Sequence, residues 1–286
     1  MKFGIIFANV GPWGLPDNAI AMAQAAEEFG IESLWTVEHV VVPKGYQSAY
    51  PYSPTGKMPG PEESPIPDPL VWLAFLAGHT TTLRLATGVL ILPQRNPLVL
   101  AKEVATLDQL SKGRVTLGVG VGWLAEEFAA LGVPFAERAA RTDDAVGALR
   151  AAWTQNPATY QGEFFKFTDV HVVPQPVQPG GVPIVIGGHT APAARRAGRL
   201  GDGFFPAQGG VDELPGLLEV MHKSAAEAGR DGDKIEVTAG ASFDVEENKR
   251  LADMGVSRLM IPPLAFDVDG LRAGLERFQN DVIAKL

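Results

Sequence analysis

Short apolar runs alternate with helical segments along the whole chain, and this rhythm constrains the fold more than any other feature. Eight runs have the length and composition of β-strands, and each is followed by a stretch with helical character. They lie at residues 2–7, 31–38, 84–92, 114–123, 183–187, 203–206, 234–240 and 257–262. Eight strand and helix units without a break in a chain of 286 residues predict a parallel (β/α)8 barrel, of class α/β, that forms one domain over residues 1–286.

Capping residues mark where several helices begin. The pairs Asp68-Pro69 and Asn96-Pro97 place a capping side chain directly before a proline, which is the usual order at a helix start. Asp244 opens a further helix with glutamates in its first turn. Asp17 is predicted to cap a helix that runs to residue 29 and stops at a glycine.

Two segments interrupt the rhythm, after the second and the fourth strand. Residues 41–67 are rich in Pro, Gly, Ser and Tyr and are too long for a plain connector. Because this segment follows the carboxyl end of a strand, a lid is favoured over a linker. Residues 155–181 form an irregular inserted region, for which a small hairpin appended to the main fold is predicted.

Charge and cysteine usage limit the possible partners and the compartment. A net charge of −9 and the lack of any Lys/Arg cluster argue against nucleic acid or an anionic membrane as a partner. The net charge does not exclude a local binding site for an anion. The absence of cysteine excludes disulfides and thiolate chemistry and fits a cytoplasmic protein. The apolar run near the N-terminus is too short for the core of a signal peptide.

The fourth strand ends in alternating glycines within the sequence RVTLGVGVGW at residues 114–123. Gly118, Gly120 and Gly122 leave one face of this strand without side chains. A flat ligand or another backbone segment could lie against that face, or the small residues could simply fill the crowded barrel interior. The residues alone do not choose between these alternatives.

Active sites of (β/α)8 barrels lie at the carboxyl ends of the strands, which selects the candidate residues by position. His39 directly follows the second strand, at an end expected to face solvent, and can hydrogen-bond or transfer a proton near neutral pH. The segment Gly187-Gly188-His189 precedes a helix and could bind an anion through backbone N–H groups. Glu38 and His39 point to opposite sides of the strand, and no metal site or hydrolase signature is predicted. Other strand-end candidates are Asn9, Thr87, Gly88, Val89, Gly120, Gly122, Trp123, Ala207, Gln208 and Ser242.

Six segments together resemble the bacterial luciferase-like monooxygenase family, in particular its branch of oxidoreductases dependent on the deazaflavin coenzyme F420. They are LWTVEH at 34–39, LATGVLILPQRNP at 85–97, GRVTLGVGVGWLAEEFAALG at 113–132, ERAARTDDAVGALRAAW at 137–153, PQP…PIVIGG at 174–188 and RAGRLGDGFFPA at 196–207. They cover most of the chain in the order of the family.

The resemblance implies a TIM barrel that holds coenzyme F420, or alternatively FMN, across the strand ends. His39 would then lie near the reactive ring edge as the catalytic residue. Thr87, Gly88 and Val89 would form a bulge behind the ring, with a non-proline cis peptide at Gly88–Val89 or one residue to either side. The glycine strand, through Gly120 and Gly122, would form one wall of the cofactor cleft.

The resemblance also implies how the rest of the cofactor and the substrate would be held. Gly187, Gly188 and His189 would bind the phosphate together with Ala207 and Gln208. The lid at 41–67 would cover the substrate with Lys44, Tyr46, Tyr50 and Tyr52. Lys44, Lys57 and Arg95 are the loop cations that could meet the acidic tail of F420.

Three functions follow as expectations. The first is hydride transfer between F420 and a small organic substrate. The second is a two-component FMN monooxygenase, which would need a separate reductase, and the third is a barrel that binds flavin or serves a structural role without catalysis. Since barrels of this family often dimerise, a homodimer is also expected.

Overall fold

The structure, a computed structural model, describes residues 1–206 and 212–286. Its strands are β1 (Lys2–Ile6), β2 (Ser33–Thr36), β3 (Arg84–Thr87), β4 (Leu90–Ile91), β5 (Val115–Gly120), β6 (Ala158–Gln161), β7 (Lys166–Val170), β8 (Ile184–Gly187), β9 (Gly203–Phe205), β10 (Glu236–Gly240) and β11 (Val256–Ile261). Its α-helices are α1 (Pro16–Glu28), α2 (Pro69–Ala77), α3 (Pro97–Leu110), α4 (Ala125–Ala130), α5 (Arg138–Thr154), α6 (Ala191–Leu200), α7 (Leu214–Glu227), α8 (Val245–Asp253) and α9 (Val268–Asp281).

The main sheet closes on itself. Its strands follow the order β3-β2-β1-β11-β10-β9-β8-β5-β4, and an additional pairing of β3 with β5 completes the ring. All of these pairs are parallel. The predicted (β/α)8 TIM barrel is therefore confirmed, with one local difference. The third predicted strand is split into β3 and β4, because residues 88 and 89 leave the ladder between them.

The helix starts largely follow the capping residues. The side chains of Asp68, Asn96 and Asp244 each accept hydrogen bonds from two backbone N–H groups in the first turn of α2, α3 and α8. The prediction for Asp17 is wrong, because α1 begins one residue earlier, at Pro16, after an uncapped Leu15. Asp17 lies within the first turn, where a carboxylate still interacts favourably with the helix dipole.

The apolar side chains form an outer layer and an inner one. Most of them lie between the strands and the surrounding helices. A smaller cluster fills the barrel itself and consists of Trp35, Ala86, Val185, Phe205 and Met260. The rings of Trp35 and Phe205 pack edge to face at 5.8 Å inside it. The barrel is therefore a filled core, so a site can form only at its ends.

The two inserted segments differ in structure. Strands β6 and β7 pair in an antiparallel hairpin, as predicted for the region 155–181. The segment 41–67 contains no helix or strand and lies beyond the end of β2. Within the described ranges, no helix is both long and apolar enough to cross a membrane.

Candidate active site at the carboxyl ends of the strands

The bare face of β5 is covered by the interruption between β3 and β4. A Cβ atom at Gly118 would lie 1.9 Å from the carbonyl oxygen of Thr87, and one at Gly120 would lie 2.6 Å from Cγ2 of Val89. The other methyl of Val89, Cγ1, would lie 2.5 Å from a Cβ at Gly187. Of the three alternatives for this face, another backbone segment is the one that the structure shows. Direct contact between Gly120 and a cofactor stays a prediction.

The interruption is built from Thr87, Gly88 and Val89, as the resemblance implies. The peptide bond between Gly88 and Val89 is cis. Thr87 Oγ1 donates to the carbonyl oxygen of Gly118 at 2.6 Å, and the N–H of Gly88 donates to the carbonyl of Thr36 at 2.6 Å. These bonds fix the bulge to β2 and β5 at the carboxyl end of the barrel.

Gly122 follows β5 in a left-handed conformation, with φ at +81°. A Cβ at this position would lie 2.6 Å from the ring of Phe128 and 2.8 Å from Ile91. Gly122 therefore allows the chain to turn tightly from β5 into Trp123 and α4.

His39 contacts a carboxylate on α4. Its Nδ1 lies 3.0 Å from Oε2 of Glu127, and the other carboxylate oxygen accepts from the N–H groups of Val40 (2.6 Å) and Val41 (3.2 Å). The two side chains are only 9% and 1% exposed. The expectation that His39 faces solvent is therefore wrong, since Glu127 contacts the imidazole and the Trp123 ring packs on it.

Glu38 points away from this pair, as the strand geometry predicts. Its carboxylate binds the Arg95 guanidinium and accepts from the N–H of Ile91 at 2.6 Å. Burial raises the pKa of Glu38, and Arg95 partly opposes that rise. Arg95 also pairs with Asp68 at 3.1 Å. Arg95 is thus engaged in fixing the strand ends, in contrast to its expected availability for an acidic cofactor tail.

Aromatic rings of the lid and of Trp123 connect the end of β2 with the end of β8. Trp123 packs edge to face on His39 (5.6 Å), Tyr46 (5.5 Å) and Tyr50 (5.1 Å). Tyr50 packs on Tyr52 at 5.4 Å. We call the group the aromatic cluster; it comprises His39, Tyr46, Tyr50, Tyr52, Trp123 and His189.

The far end of the aromatic cluster is His189, whose ring centroid lies 5.1 Å from that of Tyr52. Burial is the main cause that raises the pKa of both Tyr50 and Tyr52, so the two phenols stay neutral. The three predicted lid tyrosines are therefore brought together with both strand-end histidines. Lys44, the fourth lid residue predicted, is exposed.

Glu126 fastens the lid to α4. Its carboxylate accepts from the hydroxyl of Ser48 at 2.6 Å and from the N–H groups of Gln47 (2.7 Å) and Ser48 (3.1 Å). These hydrogen bonds lower the pKa of Glu126 to about 2. Within the lid, Lys57 donates to the carbonyl of Tyr46 at 2.6 Å. The lid is thus held by specific polar contacts in addition to its rings.

Asn9 has a structural role at the same edge. Its amide donates to the carbonyls of Val37 and Pro67 and accepts from the N–H of Val37, each at 2.9 Å. The side chain is completely buried, and these bonds tie the end of β1 to the end of β2 and of the lid. Its polar groups are therefore occupied by the protein itself.

The end of β8 contains an unusual nitrogen. Nδ1 of His189 is buried and has no hydrogen-bond partner in the part of the chain that the structure describes. The N–H of Gly188, at φ +125°, donates to the carbonyl of Phe205 at 3.1 Å and is therefore occupied. Thr190 caps α6 beside it. The predicted partners Ala207 and Gln208 lie outside the described residues.

Glu126 and Glu127 are the site residues that the sequence reasoning missed. The acidic pair directly after the glycine strand was a usable signal, because a helix that starts at a strand end lies beside the site. The sequence does not show which residue each carboxylate contacts, because the contacting residues are far apart in the chain. Glu127 and His39 are separated by 88 positions. Across residues 1–206 and 212–286, no group of three or more acidic or histidine side chains is placed to hold a metal ion.

The closed parallel ring, with the His39–Glu127 contact at the carboxyl ends of its strands, defines a (β/α)8 barrel with a candidate site at that end. The family described as luciferase-like monooxygenase matches residues 1–274. The chain belongs to this family, which confirms the resemblance.

Individual relatives extend the comparison. An uncharacterized protein of Mycobacterium tuberculosis is 34% identical over 276 residues, which cover 93% of this chain and 95% of that protein. The F420-dependent glucose-6-phosphate dehydrogenase of Kineococcus radiotolerans is 33% identical over 246 residues, which cover 82% of this chain and 67% of the dehydrogenase. Among solved structures, an F420-dependent secondary alcohol dehydrogenase in complex with an F420-acetone adduct superposes with a TM-score of 0.78 at 18% identity, over 100% of this chain and 99% of the other.

Proposed function

We propose that this protein is an oxidoreductase that transfers a hydride between coenzyme F420 and a small organic substrate. The observation that carries the proposal is the His39 imidazole, which is 9% exposed, bound to Glu127 and packed against Trp123. A proton carrier in a site closed to water suits hydride transfer, because water would compete for reactive groups. The names of the dehydrogenase at 33% identity and of the superposed alcohol dehydrogenase support the choice of cofactor.

The end of β8 fits a phosphate-bearing cofactor. The buried Nδ1 of His189 has no hydrogen-bond partner in residues 1–206 and 212–286, and an unpaired buried polar group costs free energy unless a ligand pairs with it. It lies beside Thr190 at the start of α6, where the helix dipole favours an anion. Since the N–H of Gly188 is occupied, His189 and Thr190 become the main proposed phosphate contacts, with Gly187, Gly188, Ala207 and Gln208 shaping the loop.

When bound, F420 supplies the carbon centre that accepts or donates the hydride. The protein's own residues do the rest. His39 accepts the hydroxyl proton when a substrate alcohol is oxidised to a carbonyl compound, and it returns that proton in the reverse direction. Tyr50, Tyr52 and Trp123 surround the substrate with rings and exclude water. The bulge at Thr87, Gly88 and Val89 supports the cofactor ring from behind.

Equilibrium titration of the purified protein with F420 and, separately, with FMN tests the cofactor. We expect saturable binding of F420, followed by single-turnover oxidation of the bound reduced form by members of a panel of small carbonyl compounds. Tight binding of FMN without binding of F420 would contradict the proposal. That result would favour the alternative of a two-component FMN monooxygenase supplied by a separate reductase.

Binding of neither cofactor would instead favour a barrel without catalysis.

Two further parts of the proposal concern assembly and location. The chain is proposed to form a homodimer and to act in the cytoplasm, and size-exclusion chromatography coupled to light scattering tests the first of these.

A further inference from the structure

We propose that Glu127 is a positioning residue that fixes the tautomer of His39 and, with the same carboxylate, the start of the lid. Nδ1 of His39 and the backbone N–H groups of Val40 and Val41 converge on this side chain. The carboxylate is 1% exposed, so water does not compete for these bonds. The inference goes beyond the proposed function, because no part of that function assigns a role to α4.

The tautomer follows from the donor and acceptor inventory. An ionised carboxylate can only accept hydrogen bonds. At 3.0 Å from Oε2 of Glu127, Nδ1 of a neutral His39 must therefore carry the ring proton. Nε2 is then left with its lone pair and can accept a proton. Without Glu127, either ring nitrogen could carry the proton.

The same carboxylate also holds the lid where it leaves β2. Oε1 accepts from the N–H of Val40 at 2.6 Å and of Val41 at 3.2 Å, and the lid begins at residue 41. Movement of the lid at this point would therefore disturb the acceptor of His39. One buried group thus couples the proton acceptor of the site to the segment that covers it.

The chain offers a matched control in the neighbouring Glu126. This residue lies on the same short helix and also binds lid backbone, at Gln47 and Ser48, but within the described residues it does not hydrogen-bond His39. Glu126→Gln therefore perturbs the lid without touching the imidazole. Glu127→Gln perturbs both, and the two variants separate a positioning role from a general effect on the lid.

The effect of Glu127→Gln can be predicted from the same bonds. The single amide oxygen of the glutamine has two backbone N–H groups to satisfy, at Val40 and Val41, so the amide NH2 turns towards His39. Nδ1 then becomes an acceptor, and the ring proton moves to Nε2. Glu126→Gln leaves the proton on Nδ1.

Nitrogen-15 NMR of histidine-labelled protein without cofactor measures this directly, because protonated and unprotonated ring nitrogens have separate chemical shifts. The sample is held at about pH 9, above the ordinary titration range of histidine. His39→Gln assigns the signals by their loss. We expect Nδ1–H in the wild type and in Glu126→Gln, and Nε2–H in Glu127→Gln. A wild-type His39 with its proton on Nε2 overturns the proposal whether or not the variants fold, and so does the same change in both glutamate variants.

The catalytic consequence rests on the proposed function, whereas the NMR measurement does not. With F420 and an active substrate, Glu127→Gln should lower kcat on the order of 100-fold, because the nitrogen that accepts the proton is then blocked. In a His39→Gln background the same change should have no further effect, since the two residues act as one unit. Additive losses would contradict the positioning role even if the tautomer changes as expected.

Discussion

Both ends of the barrel contain buried polar groups, but the two ends differ in whether these groups have partners. At the amino ends of the strands, Arg258 lies between two carboxylates, with Glu32 at 3.0 Å and Glu236 at 3.2 Å. At the carboxyl ends, the guanidinium of Arg95 is paired, while Nδ1 of His189 has no partner among residues 1–206 and 212–286. Paired charges fix the scaffold, whereas an unpaired buried nitrogen is available to a ligand.

The difference predicts that substitutions in the Arg258 network act mainly on stability, and that substitutions at His39 and His189 act mainly on turnover. Arg258 is 3% exposed and Glu236 also pairs with Lys2, so this network links β1, β10 and β11 where the strands begin. His39 and His189 lie where the strands end, beneath a segment with no regular secondary structure. Substitutions at the two ends should therefore separate loss of folding from loss of turnover.

The largest expected effect is the loss of turnover in His39→Gln. The glutamine amide can still donate to Glu127, but it cannot carry a transferable proton, so turnover should fall by about 100-fold to 10,000-fold. The free energy of unfolding should change by less than about 1 kcal/mol, because the contact with Glu127 is retained. Single-turnover kinetics and thermal unfolding measure the two effects. His79→Gln, an exposed histidine at the end of α2, is the control and should alter neither.

Arg258→Met should lower the stability of the fold and leave turnover almost unchanged, the opposite of His39→Gln. Removing one member of a buried ion pair typically costs about 3–5 kcal/mol, because the partner charge is left uncompensated. Here we expect about 2–3 kcal/mol, since Glu236 remains 42% exposed and can be hydrated. Urea unfolding measures the loss, and turnover per folded molecule should remain near the wild-type value.

Lys2→Met tests whether burial is the cause of that loss. Lys2 pairs with the same Glu236, but both side chains are more than 40% exposed. We expect a change of at most about 1 kcal/mol, as for other surface ion pairs. Equal losses in the Lys2 and Arg258 variants would mean that the amino end is stabilised by its total charge and not by the buried pair.

His189→Ala tests the open nitrogen at the other end. If Nδ1 binds the phosphate of the cofactor, its loss should weaken F420 binding about tenfold, which is the effect of one hydrogen bond to a charged group. The nitrogen has no hydrogen-bond partner to lose in the described residues, so any loss of stability comes from the ring contact with Tyr52. Isothermal titration gives the affinity. The exposed His171, which hydrogen-bonds Asn156, provides the control variant His171→Ala; unchanged affinity in both variants would remove His189 from the phosphate site.

Local rules made the fold readable from the sequence. Asp68 and Asn96 cap α2 and α3 as their positions before proline predict, because capping depends on a few adjacent residues. The eight strands were readable for the same reason, since apolar runs and their bounding glycines are local signals. Asp17 shows where this stops, because the start of α1 at Pro16 needs no capping side chain.

The interior of the site was less readable, because its contacts join distant segments. The glycines of β5 indicated that some group lies close to this strand. Only the fold shows that the group is the segment containing Thr87 and Val89. His39 was found from its position after β2, but its partner Glu127 lies 88 residues further on. His189 was found as a strand-end residue, whereas its unpaired nitrogen depends on how Tyr52 packs above it. The position of a residue along a strand can be predicted from its neighbours in sequence, whereas the residues that it contacts across the fold cannot.

The smallest expected effect concerns the anchor of the lid and depends on pH. The hydrogen bonds from Ser48 and Gln47 lower the pKa of Glu126 to about 2, below its ordinary value of 4.5. A depressed carboxylate pKa stabilises the fold fully above the unfolded value, and this stabilisation is lost as the pH falls through the folded value. The wild type should therefore exceed Glu126→Gln in stability near neutral pH, and the difference should shrink between about pH 4.5 and pH 2.

Thermal unfolding of the two proteins over this range measures the difference. Hydrogen exchange at the amides of Gln47 and Ser48 reports whether the lid is the part that loosens, since both amides donate to Glu126. Faster exchange at these amides in Glu126→Gln, with unchanged exchange in β1 and β11, would show that the anchor acts on the lid alone. Uniformly faster exchange would mean that Glu126 stabilises the whole fold, as the ion pairs at the amino ends do. The two ends of the barrel would then differ less in their contribution to stability than their contacts indicate.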